Sequence, residues 1–188
     1  MSTGVESSGR DGVLQIDKVT LPPRLYDEPE RIHALARGVL DRIQSLPGVT
    51  SASLINSAPF GMMFIQSDFN TEGQPKPTLY AGMPKIDAGY FTTMGIPLRA
   101  GREFTARDTA DAPKVAIVSE RIVREDFPGG PTEALGRRVR LDDRGVWLTV
   151  VGVVADIRHR ALRWIPGHEE IIQFSKSATL TGGEIIVG

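Results

Sequence analysis

One segment constrains the fold more than any other: Trp147–Val154 reads W-L-T-V-V-G-V-V. Its residues are apolar on both faces, and a strand of that kind has to be covered on both sides. We therefore expect this segment to form a central strand. Gly152 interrupts the apolar run, which predicts a bulge or a close approach of another backbone at that position.

The N-terminal part of the chain predicts a strand, a helix and a second strand. Val13–Leu21 has apolar residues near period two. Asp27 is followed three residues later by a glutamate, a reciprocal capping pattern that predicts a helix beginning at Glu28. Pro47-Gly48 should stop this helix, and Val49–Ile55 resumes a β-rich pattern. The predicted buried face of the helix consists of Ile32, Leu35, Ala36, Val39, Ile43 and Leu46.

The middle of the chain predicts a hairpin and a short helix. Phe64–Asn70 and Leu79–Ile86 have strand character, and the residues between them are rich in Gly and Pro. Asp87 is placed to cap a helix over Ala88–Met94, with Gly95 as its C-terminal glycine.

Strand and helix signals continue to the end of the chain. Val115–Val118 predicts a buried strand and Ser119–Phe127 a short helix, which a Pro- and Gly-rich stretch then breaks. Glu170–Phe174 and Glu184–Val187 predict two further strands.

Composition and charge exclude several classes of protein. The 188 residues are 40% apolar, which suits one globular domain or two small ones. A net charge of −1, from 22 basic and 23 acidic residues, argues against nucleic-acid binding. The densest basic cluster, Arg137, Arg138 and Arg140, precedes two aspartates and is interpreted as a solvated strand end, with an anion site as the alternative. The absence of cysteine excludes disulfides, thiolate metal ligands and a cysteine nucleophile.

The sequence contains no recognisable export or membrane signal. Residues 1–12 are polar, lack the apolar stretch of a secretory signal and are expected to form a disordered tail. The longest uncharged stretch, Ile43–Ser67, contains Pro and Gly and too few apolar residues to span a bilayer. Taken by itself, the sequence therefore predicts a chain that remains in the cytoplasm.

The sequence contains no motif that identifies a catalytic or metal-binding site. The common phosphate-loop, dinucleotide, nucleophile-elbow and zinc-protease motifs are absent. The histidines lie far apart, and none has a second histidine within one helical turn, so surface histidines are favoured over a metal site. Paired aspartates occur in turn-like sequence, where Asp bonds to nearby backbone, so turns are favoured over acid–base pairs or calcium sites. The residues considered are His33, His159, His168, Asp108 with Asp111, Asp142 with Asp143, and the serines Ser57, Ser119 and Ser175.

One loop offers a candidate contact surface. Phe60, Met62, Met63 and Phe64 follow a proline and include two flexible methionines, a combination suited to a ligand or partner. The alternative is that these four side chains fill the core.

Several short phrases in a fixed order resemble one family. Together they resemble the MacB-like periplasmic core domain of ABC-transporter permeases with FtsX-like membrane segments, and the resemblance runs from about residue 13 to 187. The phrases are Ser45–Val49, Gly89–Phe104, Phe127–Gly129, Leu135–Arg138 and Trp147–His159.

The resemblance implies an α+β, two-lobed periplasmic core domain. A strand–helix–strand, porter-like lobe would comprise about residues 13–90 and 165–188, and an inserted, mainly β lobe about residues 91–164. The domain would lie between two transmembrane helices of its own full-length permease, at the periplasmic face of the bacterial inner membrane. An ABC ATPase subunit on the cytoplasmic side would bind the ATP, so no cofactor is expected in this chain. Because no membrane segment flanks it, the sequence looks like a domain excised from such a permease.

Two functions follow from the resemblance. In the first, a non-catalytic domain transmits ATP-driven conformational change to a periplasmic adaptor or substrate, and two copies form a homodimer in the full-length permease. In the second, a periplasmic binding module captures a hydrophobic ligand or a lipoprotein through the Phe60–Phe64 side chains. An enzyme whose catalytic groups meet only in space remains a third interpretation.

Overall fold

The fold is taken from a computed structural model that describes residues 14–20, 29–55, 66–74, 79–82, 84–109, 111–142, 144–156, 169–173 and 182–187. The strands are β1 (Leu14–Thr20), β2 (Ala52–Ile55), β3 (Gln66–Thr71), β4 (Leu79–Gly82), β5 (Leu98–Gly101), β6 (Val115–Ser119), β7 (Arg138–Leu141), β8 (Leu148–Val154), β9 (Glu169–Gln173) and β10 (Gly182–Val187). The helices are α1 (Pro29–Gln44), α2 (Tyr90–Thr93), α3 (Glu120–Asp126) and α4 (Pro131–Ala134).

Strands from both ends of the chain form an antiparallel small sheet in the order β1-β10-β2. Helix α1 packs on one face, where Leu40 and Ala52 are buried and Ile43 contacts them. The predicted strand–helix–strand start is confirmed, although the predicted first helical residue, Glu28, lies outside the described residues. The prediction was wrong for Leu46, because α1 ends at Gln44 and leaves that side chain 54% exposed in the following turn.

The other strands form one sheet that closes on itself. Its order is β5-β8-β6-β9-β4-β3-β7, and β7 also pairs with β8, so six strands make a ring that we call the closed sheet. Most pairings are antiparallel, and β6–β8 and β4–β9 are parallel. Strand β5 pairs with the end of β8 beyond the segment that β7 occupies.

Strand β8 is central, as its sequence predicted, because it pairs with β5, β6 and β7. The register against β6 shifts next to Gly152, and a Cβ built on that glycine would lie 2.4 Å from the Arg102 carbonyl oxygen. Both the predicted irregularity and the predicted close backbone approach are therefore present. Trp147 was predicted to belong to the strand, but it precedes β8 and is half-buried.

The closed sheet encloses an apolar core. Alternate residues of its strands point inward because successive strand side chains face opposite sides. Helix α3 contributes Ile122 and Val123, which are 0% and 3% exposed, and Phe127 follows at 1%. The other buried residues of this core are Phe69, Ala81, Ala116, Val118, Ala134, Val139, Leu141, Leu148, Val150 and Val153.

The remaining sequence predictions have mixed outcomes. The β3–β4 hairpin and the strands near Val115, Glu170 and Glu184 are confirmed. Helix α2 is shorter than predicted, and Asp87 does not cap it, since its carboxylate accepts the N–H of Ala88 instead. Strand β5 and helix α4 were not predicted, because both are four residues long and carry weak periodic signals.

The mixture of helices with mainly antiparallel sheet confirms the α+β class. Strands β3, β4 and β9 pair within the closed sheet, whereas β1, β2 and β10 form the small sheet. The lobe boundaries near residues 90 and 165 stay a prediction. The expected tail over residues 1–12 lies outside the described residues.

Candidate functional site

The predicted contact surface cannot be located in the structure. Phe60, Met62, Met63 and Phe64 all fall between residues 56 and 65, outside the described residues. Their role in binding therefore remains a prediction, and so does the alternative that they fill the core.

The first and last described strands lie side by side. Leu14 is the pairing partner of Val187, and the ladder runs on to Thr20 opposite Gly182. Paired Cα atoms of antiparallel strands are about 4.5–5.5 Å apart. Segments that precede β1 and follow β10 therefore meet the domain at the same end of these two paired strands.

The small sheet and the closed sheet share a buried apolar cluster, which we call the bridging cluster. Ile55 of β2 forms an isolated antiparallel bridge with Ile86. Tyr90 and Phe91 of α2 are 0% and 1% exposed, and their rings meet edge to face with centroids 5.6 Å apart. The bridging cluster consists of Ile55, Ile86, Tyr90, Phe91, Phe104, Val115, Ile117 and Val154.

Main-chain hydrogen bonds connect the residues on either side of α2 to the two sheets. The N–H of Asp87 donates to the carbonyl of Leu54 in β2 at 2.8 Å. On the other side of α2, the N–H of Ala155, which follows β8, donates to the carbonyl of Pro97 at 2.9 Å. Main-chain hydrogen bonds of this kind favour one position of the segment, because each satisfies a donor and an acceptor of the backbone.

An ion pair fastens the loop that follows β5. Arg102 makes two hydrogen bonds of 2.8 Å to the two carboxylate oxygens of Asp108, which also accepts the N–H of Thr105 at 2.7 Å. The hydrogen bond from Arg102 lowers the pKa of Asp108 to about 2, against the opposing effect of its burial. Asp108 is thus an ionised structural group, which agrees with the sequence interpretation against an acid–base role.

A second carboxylate, Asp156, holds the start of α3. It accepts the N–H of Arg121 and the guanidinium of Arg124, each at 2.6 Å. The hydrogen bond to Asp156 raises the pKa of Arg124. Ser119, the residue before the helix, makes no side-chain cap, and its buried hydroxyl has no partner among the described residues. Sequence reasoning missed this arrangement, since the capping carboxylate is 35 residues away from the amide that it accepts.

The other candidate residues have simple environments. Asp142 lies in a turn with a φ of 52°, and its carboxylate accepts the N–H of Arg144, as the turn interpretation predicted. Arg137, which precedes β7, and Arg138 are exposed, as expected of a solvated strand end, whereas Arg140, the third arginine of that cluster, is half-buried. Within the described ranges, no three His, Cys, Asp or Glu side chains are grouped to hold a metal ion. The His159, His168, Ser57 and Ser175 positions lie outside those ranges, and the side chain of His33 is not described.

Among the described residues, no helix has the length and apolar character needed to cross a membrane.

The sequence matches the MacB-like periplasmic core domain family over residues 1–184. No curated protein sequence matches it.

Two solved structures have a similar fold. One is the periplasmic region of MacB from Actinobacillus actinomycetemcomitans, with a TM-score of 0.54, 18% identity and coverage of 80% of this chain and 63% of that one. The other is the extracellular domain of the ABC-type transporter YknZ from Gram-positive bacteria, with a TM-score of 0.52, 18% identity and coverage of 79% and 70%. At these identities the similarity establishes the fold alone. The chain spans slightly less than two thirds of the length of the Actinobacillus region.

Proposed function

Because the chain belongs to the MacB-like periplasmic core domain family of ABC-transporter permeases, we propose that it transmits ATP-driven conformational change to a partner or substrate in the periplasm. The domain acts without catalysis of its own. Membrane segments of the full-length permease connect to it, and an ABC ATPase subunit on the cytoplasmic side supplies the energy. Two copies pair in the assembled permease, and a periplasmic adaptor or lipoprotein receives the movement.

The bridging cluster is the observation that supports this proposal most directly. A displacement applied to the small sheet reaches the closed sheet only if the contact between them resists deformation. Close-packed interiors transmit strain in this way. Ile55, Tyr90 and Ile117 are each 0% exposed, so this contact is as tightly buried as the core of either sheet.

The paired strands β1 and β10 are the place where a displacement of the membrane segments would reach the domain. Leu14 and Val187 are neighbours, so membrane segments joined to β1 and β10 would act on adjacent strands. Strand β10 also pairs with β2, and the Asp87–Leu54 hydrogen bond leads from β2 to α2. A continuous path of hydrogen bonds and buried contacts then runs from the attachment point to β8.

Distance measurements in the full-length permease would test this mechanism. Because this chain has no cysteine, cysteines introduced at Leu46, beside the small sheet, and at Val146, in the turn before β8, are the spin-labelling sites within the domain. We expect the distance between positions 46 and 146 within one copy to be the same with and without ATP. The distance between the two Val146 labels of paired copies should change on ATP binding.

A matched pair of variants would test the role of the bridging cluster. Phe91→Leu removes an aromatic contact there, and Val139→Ala removes two methyl groups from the core of the closed sheet. We expect Phe91→Leu to reduce transport per ATP hydrolysed and Val139→Ala to leave that ratio unchanged, although both lower stability. An unchanged distance between the Val146 labels, or equal ratios in the two variants, would contradict the mechanism.

The second function, capture of a hydrophobic ligand or lipoprotein through Phe60, Met62, Met63 and Phe64, stays a prediction. It differs from the first because it requires those side chains to reach solvent. Its test is binding by a variant in which both methionines are replaced with serine.

A further inference from the structure

The outer face of the closed sheet carries an aromatic side chain surrounded by arginines. We call it the Arg–Trp patch and define it as Arg138, Arg140, Arg144, Val146 and Trp147. The first two belong to β7 and the others to the turn that connects β7 with β8.

The pairing of β7 with β8 places these groups together. Arg138 is opposite Thr149 and Val139 is opposite Leu148, which brings the next residue of β7, Arg140, close to Trp147 just before β8. The guanidinium carbon of Arg140 lies 4.6 Å from the centroid of the Trp147 ring, and that of Arg138 lies 5.5 Å from it. Both distances suit cation–π interaction, so the cations are held above the ring.

The Arg–Trp patch also exposes apolar side chains to solvent. Val146 is 67% exposed, more than any other large apolar side chain that the structure describes, and Trp147 is half-buried. The other aromatic side chains whose burial is described are 5% exposed or less. Tryptophan and arginine are the residues most enriched where protein interfaces gain their binding energy.

Hydrogen bonds and close packing constrain the described residues on either side of Asp143 in the turn that carries Val146. Asp142 adopts a left-handed φ of 52°, its N–H donates to the carbonyl of Asp68 at 2.8 Å, and its carboxylate accepts the N–H of Arg144 at 2.6 Å. A Cβ at Gly145 would lie 2.0 Å from the carbonyl oxygen of Leu141, so the turn is also close-packed. A preorganised surface loses less conformational entropy on binding.

The charges on the patch favour an acidic partner. The carboxylate of Glu72 bonds to Arg138 at 3.0 Å, and that of Asp142 bonds within the turn. The Arg144 guanidinium has no partner among the described residues. Asp143, the next residue in the turn, lies outside the described residues. The described carboxylates beside the patch thus already accept hydrogen bonds, whereas the Arg144 guanidinium, without a partner among the described residues, is placed to meet an incoming carboxylate.

We propose that the Arg–Trp patch docks an acidic segment of a protein partner, which sets an apolar side chain against Val146 and carboxylates against Arg138 and Arg144. The inference rests on the proposed function, because it names the surface by which the periplasmic partner is engaged. Attraction between the arginines and the partner's carboxylates fixes the register of the contact. The contact between Val146 and the partner's apolar side chain supplies buried area.

Site-specific photocrosslinking in the full-length permease, in its native membrane, would test the proposal. A benzophenone amino acid replaces Val146, and the same group at Leu46, which is 54% exposed, serves as the reference position. We expect an adduct at position 146 whose cross-linked segment, identified by mass spectrometry, is rich in Asp and Glu. Position 46 should give no adduct with that segment.

Charge variants make the test specific. Arg144→Glu should lower the adduct about tenfold, which corresponds to about 1.4 kcal/mol. Arg144→Lys should keep most of it, because it retains the charge. Arg107→Glu, an exposed reversal on another loop, should leave it unchanged. The side chain of Arg144 makes no described contact, so its replacement is expected to leave the fold intact.

Other results would overturn the proposal. These are no adduct at position 146, an adduct with lipid or with a second copy of this chain, an adduct with a segment lacking acidic residues, or equal yields in Arg144→Glu and Arg144→Lys. The proposed function fails separately, through the spin-label distances and the transport ratio. ATP-linked movement without an Arg144-dependent adduct would therefore refute only the docking surface.

Discussion

Replacing Asp108 with asparagine should destabilise the domain in a manner that depends on pH. The asparagine amide has the same size as the carboxylate but lacks its negative charge. It also replaces one of the two carboxylate oxygens that accept hydrogen bonds from Arg102. The side chain of Asp108 is only 10% exposed.

The size of the effect follows from the pKa of Asp108. The difference between its ordinary value of 3.8 and about 2 in the folded domain corresponds to about 2.5 kcal/mol at most. Arg102 is 46% exposed, so water screens the pair and most of that figure is lost. We expect the free energy of unfolding to fall by about 1 kcal/mol at pH 7.

The pH dependence has a defined sign. A carboxyl group whose pKa is lower in the folded state stabilises the fold above its unfolded pKa, and this stabilisation is lost as pH falls through the folded value. The gap between wild type and Asp108→Asn should thus be constant above about pH 5 and close between about pH 4 and 2. Urea unfolding across this range measures it, with Asp111→Asn, an exposed carboxylate in the same loop, as control. A gap that persists unchanged at pH 2.5, or a loss in the control as large as in Asp108→Asn, would refute the argument.

Three further predictions concern packing and binding. Gly152→Ala should destabilise the domain by about 1–3 kcal/mol, because its Cβ would lie 2.4 Å from a backbone oxygen; Gly38→Ala, in helix α1 with open space around it, should be neutral or stabilise by up to about 1 kcal/mol in the same urea titration. Phe91→Ala should lower the free energy of unfolding by about 3–5 kcal/mol, since it opens a cavity in the bridging cluster, and a loss below 1 kcal/mol would show that the ring is not tightly packed. Met62→Ser with Met63→Ser should abolish binding of a lipopeptide in a fluorescence titration if those side chains form a ligand surface, and full binding by the variant would exclude that role.

Local sequence signals predicted most of the elements. The apolar run at Trp147–Val154 specified a central strand, since only a strand covered on both faces is apolar throughout. The Pro-Gly pair after α1 specified its end to within a few residues. Short elements such as β5 and α4 escaped prediction, because four residues are too few to establish a period.

The candidate site was far less accessible to sequence reasoning. The phrase around Tyr90 and Phe91 was recognised as characteristic of a family, and its local structure was partly predicted. Nothing in the phrase indicated that the two rings would join the small sheet to the closed sheet. Asp156 likewise gave no local sign that it would hold the start of α3.

The sequence by itself determined the class of fold, the order of its main elements and the family, because these depend on patterns within short stretches of chain. Tertiary structure alone decided that Leu14 pairs with Val187, that six strands close into a ring, and that Arg140 covers Trp147. Each of these depends on which strands become neighbours. Strand pairing is specified by the burial of whole faces and by the closure of long loops, and neither quantity is a property of any local segment.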